Sequence, residues 1–432
     1  MADNSSLSAA RNAKNDEFYT QYSDIETEMN AYIEYNPEVF KDKTILLPCD
    51  DPEWSNFTKY FASNFTRLGI KKLISTSYAQ GVANKQPTLF ELKSPLYNPQ
   101  QHDTHGKLFT LTRDTDGNGT VDTDDIEFTG YLKGDGDFRS SEVKKLRDEA
   151  DIIITNPPFS LFREFLAWIL EADKQFVIIG NMNAITYKEV FPLLSDNKVW
   201  LGYSIHSGDR KFNVPDDYPL NAAGCGVDEN GKKFIRVKGV RWFTNIDHGK
   251  RHENLILDTM EHNLKFNKKL QKKLEKDYGK LEYPHYDNYD AIEVPFTECI
   301  PSDYDGVMGV PITFMDKYNP DQFDIVAFRK GEDGKDLVFT REREREYNHT
   351  FVSLYNIDSG NDKERRRKDK WASYLRENNN HAQKTPVEII FPLATNLQNG
   401  LINDCIINGK KTYVRILIRK AEVTSYENNT CN

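Results

Sequence analysis

Short apolar runs alternate with segments of helical periodicity over the first half of the chain, and this alternation constrains the fold more than any other feature. Between the runs, apolar residues recur every three to four positions, as they do in amphipathic helices. Consecutive β-α-β units favour right-handed crossovers, so we expect an α/β fold with a mostly parallel sheet. The predicted strands are residues 44–50, 71–78, 151–155, 175–180, 198–205 and 239–246, with helices over 54–67, 160–173 and 185–195.

The alternation breaks at two places, and the breaks divide the chain. A stretch rich in Gly, Asp, Thr and Pro predicts a hairpin insertion over about residues 85–133. Near residue 260, lysine-rich and then Tyr- and Pro-rich segments replace the alternation. We therefore expect an α/β domain over residues 1–258 and a mixed C-terminal region over residues 259–432. Ligands of such sheets bind at the carboxyl ends of the strands.

Composition argues against several classes of protein. The net charge is −10, from 57 Lys and Arg against 67 Asp and Glu, which disfavours a chain that is basic throughout but not a local basic cleft. No apolar run approaches the ~20 residues of a membrane-spanning helix, and no apolar segment typical of a secretory signal is present near residue 1. The five cysteines form no CxxC pair, which disfavours a disulfide framework and a zinc ribbon. We expect a cytoplasmic protein without membrane association.

The tetrapeptide Asn156-Pro157-Pro158-Phe159 directly follows the apolar run 151–155 and precedes a predicted helix. Its two prolines remove two backbone donors and fix φ, so the turn is rigid. The Asn156 side-chain oxygen and the Pro157 carbonyl can both accept from one amino group, which localises the nitrogen lone pair. Phe159 offers a face for a planar base. The pattern indicates methylation of an exocyclic amine on an aromatic ring; the alternative is a turn without chemistry.

The loop after the first predicted strand fits a methyl-donor site. Loops at this point of an α/β sheet commonly bind cofactors, and S-adenosylmethionine presents its amino-acid end to backbone amides and a carboxylate there. The candidate residues are Cys49, Asp50, Asp51, Asn56 and Phe57. The alternative is a capped helix start, because acidic side chains stabilise a helix N-terminus.

A second candidate donor segment is the Gly- and Asp-rich turn that precedes the run 151–155. Asp137 could accept from the amino group of the cofactor adenine, and the neighbouring Phe138 could pack on its ring. The alternative is a flexible acidic turn without a ligand.

Together these motifs resemble the EcoRI-type family of adenine-specific DNA methyltransferases, and the resemblance spans nearly the whole chain. The segments that carry it are residues 15–21, 49–52, 55–57, 134–140, 155–160, 309–314 and 415–419. The resemblance implies a Rossmann-like sheet that binds S-adenosylmethionine, with helices on both faces. It also implies that the region 259–432 recognises the target and binds DNA.

The resemblance further implies roles for individual residues. It assigns the methionine end of the cofactor to Phe18, Tyr19 and Thr20, its adenine to Asp137 and Phe138, and catalysis to Asn156, Pro157, Pro158 and Phe159. Two departures put other assignments in doubt. The loop 49–57 lacks the Gly-x-Gly of most methyltransferases, and the strand 71–77 ends in three hydroxyl residues with no acid to hold a ribose.

The implied function is site-specific methylation of adenine N6 in DNA, after the base has been flipped out of the duplex. Direct methyl transfer requires neither a covalent intermediate nor a metal. The expected partner is double-stranded DNA. The chain is expected to be either the modification enzyme of a restriction–modification system, which would have a cognate restriction endonuclease, or an orphan methylase without one. Alternatives are methylation of cytosine N4, RNA or protein glutamine, or a non-catalytic DNA-binding protein. A cytosine-C5 enzyme that uses Cys49 is disfavoured, because Cys49 lies in the donor loop. The recognition sequence and oligomeric state do not follow from the sequence.

Residues 114–125 match the spacing of a calcium-binding loop. The candidate ligands are Asp114, Asp116, Asn118, Asp122 and Asp125, with Asp in place of the usual final Glu. The flanks look like strands rather than helices, so a polar hairpin turn is the alternative.

Two runs rich in basic residues, 262–280 and 362–370, remain outside these motifs. Charge runs are commonly solvated helix faces. On a DNA substrate they could instead contact phosphates without reading sequence.

Overall fold

The computed structural model describes residues 20–79, 87, 89–205, 209–214, 220, 224–287, 289–328, 405–408, 410–412 and 414–421. Two predicted features, the residue pair Phe18 and Tyr19 and the basic run 362–370, lie outside the described residues. The chain divides into an N-terminal unit, Met1–Glu253 with Met315–Lys317, and a C-terminal unit, Asn254–Phe314 with Tyr318–Asn432. Within the described residues, no helix combines the length and the apolar character that a membrane crossing requires.

The described part of the N-terminal unit contains short strands separated by helices. The strands are β1 (Thr44–Leu47), β2 (Lys72–Thr76), β3 (Lys107–Leu111), β4 (Glu127–Tyr131), β5 (Ile152–Thr155), β6 (Gln175–Asn181), β7 (Trp200–Leu201), β8 (Asp209–Asn213), β9 (Gly226–Val227), β10 (Lys233–Lys238) and β11 (Val240–Thr244). The helices are α1 (Tyr22–Tyr35), α2 (Asn56–Ser63), α3 (Phe65–Leu68), α4 (Leu89–Lys93), α5 (Pro99–His102), α6 (Ser141–Glu149), α7 (Phe162–Glu171) and α8 (Phe191–Ser195). Short 3-10 helices span Thr123–Asp125, Phe159–Leu161, Met182–Thr186 and Gly249–His252.

Eight of these strands form one sheet in the order β4-β3-β2-β1-β5-β6-β11-β7. The central strands β2, β1, β5 and β6 are parallel neighbours, which confirms the predicted α/β sheet. The strands β3 and β11 run antiparallel to their neighbours, so the sheet is mixed toward both edges. The hairpin β3–β4 extends the sheet beside β2. A separate three-stranded antiparallel sheet, β8-β10-β9, was not predicted.

Helices cover both faces of the large sheet, as the resemblance implied. The Trp242 ring contacts Phe57 of α2 with 6.0 Å between centroids, and the Phe243 ring contacts Phe162 of α7 at 4.9 Å. Consecutive side chains of a strand point to opposite faces, so α2 and α7 lie on opposite sides of β11. Every residue of β1 and β5 is buried, as expected for central strands that are covered on both faces.

Several predicted element boundaries were wrong. The helix after β1 begins at Asn56 rather than near residue 54, because the Ser55 hydroxyl accepts from the backbone N–H groups of Phe57 and Thr58 and caps it. Trp54 is 57% exposed in the preceding turn. The predicted helix 185–195 is a 3-10 helix that ends at Thr186 followed by α8, and the strand predicted over 198–205 is only the two residues of β7.

A buried carboxylate ties α1 to the loop after β7. Glu28 is fully buried, and it accepts hydrogen bonds from the Tyr32 hydroxyl at 2.6 Å and from the backbone N–H groups of Tyr203 and Ser204 at 2.8 and 2.7 Å. The Ser204 hydroxyl donates a further bond. Buried carboxylates are tolerated only with such partners, so Glu28 holds the first helix and this loop in one arrangement.

The described part of the C-terminal unit is a small sheet with two helices. Its strands are β12 (Ala291–Glu293), β13 (Val307–Pro311), β14 (Phe323–Phe328), β15 (Ile406–Ile407), β16 (Lys410–Lys411) and β17 (Arg415–Lys420), and its helices are α9 (Met260–Phe266) and α10 (Lys268–Tyr278). Four strands form a sheet in the order β12-β13-β17-β14, and β15 pairs with β16. Two more 3-10 helices span Thr297–Cys299 and Ile312–Lys317.

The two C-terminal segments of the family resemblance meet in this sheet. Strands β13 and β17 pair antiparallel, with Val310 opposite Ile416. The Arg415 side chain donates from Nε to both carboxylate oxygens of the buried Glu293 at 3.0 Å, and the Tyr286 hydroxyl donates to the same carboxylate. The familial segments 309–314 and 415–419 therefore contribute to two neighbouring strands of this sheet, and Arg415 supplies the cation of a buried ion pair with Glu293.

Candidate active site

The loops that follow β1, β2 and β5 meet at the carboxyl-terminal edge of the large sheet, which is called the sheet edge below. The three strands are parallel neighbours, so their carboxyl ends lie side by side. The Thr155 hydroxyl at the end of β5 donates to the Pro48 carbonyl at 2.9 Å. The Cys49 N–H donates to the Thr76 hydroxyl at the end of β2 at 3.1 Å. These contacts bring the predicted donor loop next to the predicted catalytic tetrapeptide.

Side-chain hydroxyls order the loop after β1. The Asp50 carbonyl accepts from the Thr58 hydroxyl at 2.8 Å and from the Ser75 hydroxyl. The Ser55 hydroxyl donates to the Asp50 carboxylate at 2.7 Å while it caps α2. Asp50 is only 8% exposed, so its carboxylate is fixed in a nearly dry position. Hydroxyl groups thus hold a turn that contains no glycine.

Cys49 and Asn56 join this loop to its surroundings. Cys49 has a φ of 65°, a left-handed conformation that residues other than glycine rarely adopt. The Asn56 amide donates to the Thr20 carbonyl at 2.7 Å, which brings the predicted residue Thr20 to the loop. The Thr20 hydroxyl is buried and has no hydrogen-bond partner among the described residues. Asp51 accepts from the Glu53 N–H at 3.0 Å and stabilises the turn.

The predicted turn around Asp137 crosses the end of β2 at very short range. The Ala79 N–H donates to the Asp135 carbonyl at 2.7 Å. Gly136 has a φ of 90°, and a Cβ atom added there would lie 2.3 Å from the Ser77 carbonyl oxygen. A Cβ added at Gly106 would lie 2.6 Å from the Gly136 Cα. The backbones at Ser77, Gly106 and Gly136 therefore pass within contact distance of one another, which is possible because two of the three residues are glycines. This packing places the turn at the carboxyl-terminal end of β2, next to the predicted donor loop.

The two candidate adenine contacts occupy different surroundings. Asp137 accepts from Arg139 at 2.9 Å from Nε and 2.6 Å from the second terminal nitrogen, and these hydrogen bonds lower the pKa of its carboxyl below the usual value. The Phe138 ring is buried and contacts Phe165 and Trp168 of α7 at 5.0 and 5.6 Å between centroids. Asp137 thus lies near the surface, whereas the Phe138 ring belongs to the core. Their predicted contacts with the cofactor stay predictions.

The tetrapeptide lies where the sequence placed it, immediately after β5. Asn156 and Phe159 are half-buried, and Pro157 is buried. The Phe159 side chain packs against the main hydrophobic core. The Pro158 carbonyl accepts from the Leu161 N–H at 2.9 Å in the 3-10 turn that leads to α7. Covalent restraint by two prolines and packing by Phe159 together hold Asn156 at the sheet edge.

A buried polar cluster in the insertion contacts the end of β2, and it was not predicted from the sequence. Glu91 is fully buried and accepts from the Lys107 ammonium at 2.7 Å and from the Tyr131 hydroxyl at 2.8 Å. One ring nitrogen of His102 lies 2.8 Å from the same carboxylate. The Lys107 carbonyl in turn accepts from the Ser77 N–H at 3.0 Å. The insertion is therefore joined to the end of β2 by a network whose members are far apart in sequence.

The positioning hydroxyls were also missed as a group. Ser75 and Thr76 drew notice only because an acidic residue was absent there, and Thr155 was read as part of a familial segment. Hydroxyl residues at the ends of two strands, β2 and β5, were the available signal. It was not decisive, because only the sheet order shows that these two strands flank β1.

The predicted calcium loop brings three carboxylates together. Oxygen atoms of Asp114, Asp116 and Asp125 lie within 4.8 Å of one another. Burial acts to raise the pKa of the Asp125 carboxyl, but hydrogen bonds from Thr115, Asp122 and Asp116 outweigh it and lower that pKa. The predicted ligands Asn118 and Asp122 accept turn hydrogen bonds from the backbone N–H groups of Thr120 and Asp124, and Asp114 and Asp116 accept similar bonds from Gly117 and Asn118. Calcium binding at this loop stays a prediction.

If the loop binds calcium, a hundredfold excess of Ca²⁺ over its Kd should stabilise the wild-type protein by about 2.7 kcal/mol. The Asp116→Ala variant should lose this effect, because it removes an exposed ligand oxygen. Asp124→Ala removes an exposed acid outside the predicted ligand set and serves as the matched control. Thermal unfolding with calcium or with a chelator measures the effect. Equal melting temperatures of the wild type under both conditions would count against calcium.

Comparison with known proteins agrees with this architecture. The sequence model of the family described as "Adenine-specific methyltransferase EcoRI" matches residues 6–421. The Type II methyltransferase M.EcoRI of Escherichia coli is 45% identical over 338 residues, which cover 78% of this chain and 93% of the relative. M.MgeORF184P of Mycoplasma genitalium is 37% identical, with 73% and 84% covered. M.MpnI of Mycoplasma pneumoniae is 32% identical, with 73% and 83% covered.

No solved structure matches the chain. The family match nonetheless extends over almost all of the sequence. Of the described segments that carry the resemblance, residues 49–52, 55–57, 134–140 and 155–160 lie at the carboxyl ends of the strands in the N-terminal unit, and residues 309–314 and 415–419 lie in or next to the sheet of the C-terminal unit. The chain belongs to the EcoRI family of adenine-specific methyltransferases.

Proposed function

We propose that this adenine-specific methyltransferase acts on the N6 amine of adenine in double-stranded DNA and takes the methyl group from S-adenosylmethionine. The meeting of three loops at one sheet edge carries the proposal. The contacts Thr155 to Pro48 and Cys49 to Thr76 hold the donor loop beside the tetrapeptide. Methyl transfer requires its two reactants to be held side by side in one orientation, and much of the rate enhancement comes from that positioning.

The donor side of the edge fits a cofactor with a cationic amino-acid end. S-adenosylmethionine supplies, when bound, a methyl group on a positively charged sulfur. The Asp50 carboxylate, fixed by Ser55, is suited to a neighbouring cation, and the buried Thr20 hydroxyl is available for a ligand. Phe57 and Phe138 have buried rings, so we expect them to shape the site through packing. The proposed cofactor site comprises Thr20, Cys49, Asp50, Asp51, Asn56, Phe57, Asp137 and Phe138, together with Phe18 and Tyr19.

On the acceptor side, Asn156 and Pro157 would hold the N6 amine of the target base. Both offer carbonyl oxygens, and accepting both N–H bonds of the amine directs its lone pair toward the methyl group. The amine nitrogen would bond to the methyl carbon as the bond from that carbon to the cofactor sulfur breaks, which would leave neutral S-adenosylhomocysteine, and the amine would then release one proton to water. Phe159 would stack on the base, and Pro158 would keep the turn rigid.

An adenine inside a duplex is paired and stacked, so the enzyme must extrude it at a cost of a few kcal/mol. The relatives named above are Type II methyltransferases. We therefore extend the proposal to site-specific modification in a restriction–modification system, with a cognate restriction endonuclease as partner. An enzyme of this kind acts in the cytoplasm, where its DNA lies.

The test is transfer of a labelled methyl group from S-adenosylmethionine to unmethylated genomic DNA, followed by digestion and separation of the nucleosides. We expect the label in N6-methyladenine. Label in cytosine would overturn the proposed base. Label only in RNA or in protein glutamine would overturn the proposed substrate. Cofactor binding without any transfer would favour a non-catalytic DNA-binding protein.

The cofactor assignment makes Asp137→Ala a sharp test when it is compared with Arg139→Gln. Both variants break the ion pair between these residues, but only the first removes the carboxylate that is proposed to hold the cofactor adenine. A hydrogen bond to a charged group contributes about 1.5–3 kcal/mol. We therefore expect Asp137→Ala to weaken S-adenosylmethionine binding by about tenfold or more and Arg139→Gln to weaken it much less.

Titration calorimetry with S-adenosylmethionine and anisotropy with labelled duplex DNA measure the two affinities. Duplex affinity should change little in either variant. Equal losses of cofactor affinity in both variants would mean that Asp137 acts only through its pairing with Arg139.

A further inference from the structure

Helix α10 of the C-terminal unit has two sharply different faces. Leu270 and Leu274 are fully buried. Lys268, Lys272 and Lys276 are exposed and, like the leucines, are spaced by four residues. At about 100° per residue, the three lysines lie within a sector of about 80° on the side opposite the leucines. These three residues are called the lysine stripe.

The lysine stripe differs from three of the four other lysines of the run 262–280 in having no acidic partner among the described residues. Its three ammonium groups form no ion pair with any carboxylate in the part of the chain that the structure describes. The paired lysines are Lys269 with Glu298 at 2.8 Å, Lys273 with Asp277 at 2.6 Å, and Lys280 with Glu282 at 3.3 Å. Glu275 borders the stripe without pairing to it. The stripe is therefore a row of uncompensated positive charge.

Helix formation does not account for this row. Like charges four residues apart on a helix repel each other and lower its stability. The burial of Leu270 and Leu274 fixes which side faces outward but does not require three cations there. The whole chain carries a net charge of −10, so an uncompensated positive row contrasts with the general charge of the protein. A polyanionic partner would remove the repulsion.

We propose that the lysine stripe binds the phosphate backbone of double-stranded DNA. The inference rests on the proposed function, which supplies DNA as the polyanion. A rise of 1.5 Å per residue places successive lysines about 6 Å apart along the helix and the outer two about 12 Å apart. Each DNA strand carries one phosphate per 3.4 Å of helix axis. The stripe therefore spans about three or four phosphates of one strand.

Contacts of this kind add affinity and salt dependence without reading sequence. The slope of log K against log salt concentration is negative for duplex DNA, and each neutralised phosphate contributes about 0.9 to its magnitude. The combined variant Lys268→Gln, Lys272→Gln, Lys276→Gln should therefore reduce the magnitude of the slope by about 2–3. Glutamine is a good helix former and these positions are exposed, so the fold should be retained.

The paired lysines provide a control with the same change of net charge. The combined variant Lys269→Gln, Lys273→Gln, Lys280→Gln removes three positive charges that already have acidic partners. We expect its slope to change by less than about 1. The single variant Lys272→Gln should reduce the magnitude of the slope by about 0.9, and it serves as a second test in case the triple variant does not fold.

The experiment measures anisotropy of a labelled mixed-sequence duplex at several salt concentrations, with circular dichroism of each variant and methyl transfer by the wild type. A wild-type slope in the stripe variant, or an equal reduction of the slope in both triple variants, would overturn the proposal that the stripe binds duplex DNA. If the stripe variant bound single-stranded RNA more weakly than the wild type but bound duplex DNA equally well, that proposal would also be overturned. Absence of methyl transfer by the wild type, with slopes as expected, would overturn the proposed function and retain the stripe as the DNA contact of a non-catalytic protein.

Discussion

Asn156→Ala is expected to lower the rate of methyl transfer by about a hundredfold to a thousandfold or more, with the fold retained. The substitution removes a side-chain oxygen that is proposed to accept from the target amine, and loss of one preorganised hydrogen-bonding group at a reacting centre has effects of this size. Asn156 is half-buried at the end of β5, between a buried strand and a proline-stiffened turn, so neighbouring residues should keep their positions. Single-turnover transfer of a labelled methyl group and thermal unfolding measure the two effects.

Two further variants show whether the acceptor oxygen matters. Asn156→Asp keeps an oxygen at the same place and should retain more activity than Asn156→Ala. Asn181 ends the neighbouring strand β6 and accepts from the Asn183 N–H at 2.9 Å. Asn181→Ala should therefore cost about 1 kcal/mol of stability as a lost cap and leave turnover near the wild-type rate. Wild-type turnover by Asn156→Ala would refute the proposed role.

Gly136→Ala is expected to destabilise the N-terminal unit by about 2–5 kcal/mol and to weaken cofactor binding strongly. The residue has a φ of 90°, and the added Cβ would lie 2.3 Å from the Ser77 carbonyl oxygen. That oxygen is a backbone atom, so relief requires the turn to lift from the end of β2. Left-handed backbone at a residue with a side chain costs about 1–2 kcal/mol, and overpacking adds about 1–3 kcal/mol.

Gly134→Ala is the matched control, two residues away in the same turn. A Cβ added there would meet no atom within 4 Å. We expect a change in stability within about 0.5 kcal/mol and unchanged cofactor affinity. Chemical denaturation and calorimetric titration with S-adenosylmethionine measure both quantities. Similar behaviour of the two variants would show that close approach to Ser77 does not hold the turn in place.

The sequence was sufficient to predict the strands that build the centre of the large sheet. The strands within the apolar runs, Thr44–Leu47 and Ile152–Thr155, are buried on both faces, and such strands carry the strongest pattern. The position of Asn156 directly after β5 followed from the same pattern. The strand directions near the two sides of the sheet could not be predicted, because they depend on which segment packs there in the fold. The structure shows that β3 and β11 run antiparallel to their neighbours.

The surroundings of the site were less predictable than its members. Asp137 and Phe138 are adjacent in sequence, yet the Asp137 carboxylate pairs with Arg139 near the surface, whereas the Phe138 ring packs in the core beside α7. Sequence adjacency in a loop does not determine the direction of each side chain, whereas strand alternation does. The Glu91 cluster and the hydroxyls of Ser75 and Thr155 depend on contacts between distant segments, which periodicity does not reveal.

The place of β17 between β13 and β14 has a consequence for synthesis of the chain. Strand β13 ends at Pro311, and its partner β17 begins roughly a hundred residues later, at Arg415. At 5–20 residues per second, a ribosome needs about 5–20 s to make the intervening chain. During that interval β13 and β14 each have an unpaired edge where β17 will later lie, and unpaired edges invite association with other chains. Nascent protein should therefore be most prone to aggregation shortly before β17 emerges from the ribosome.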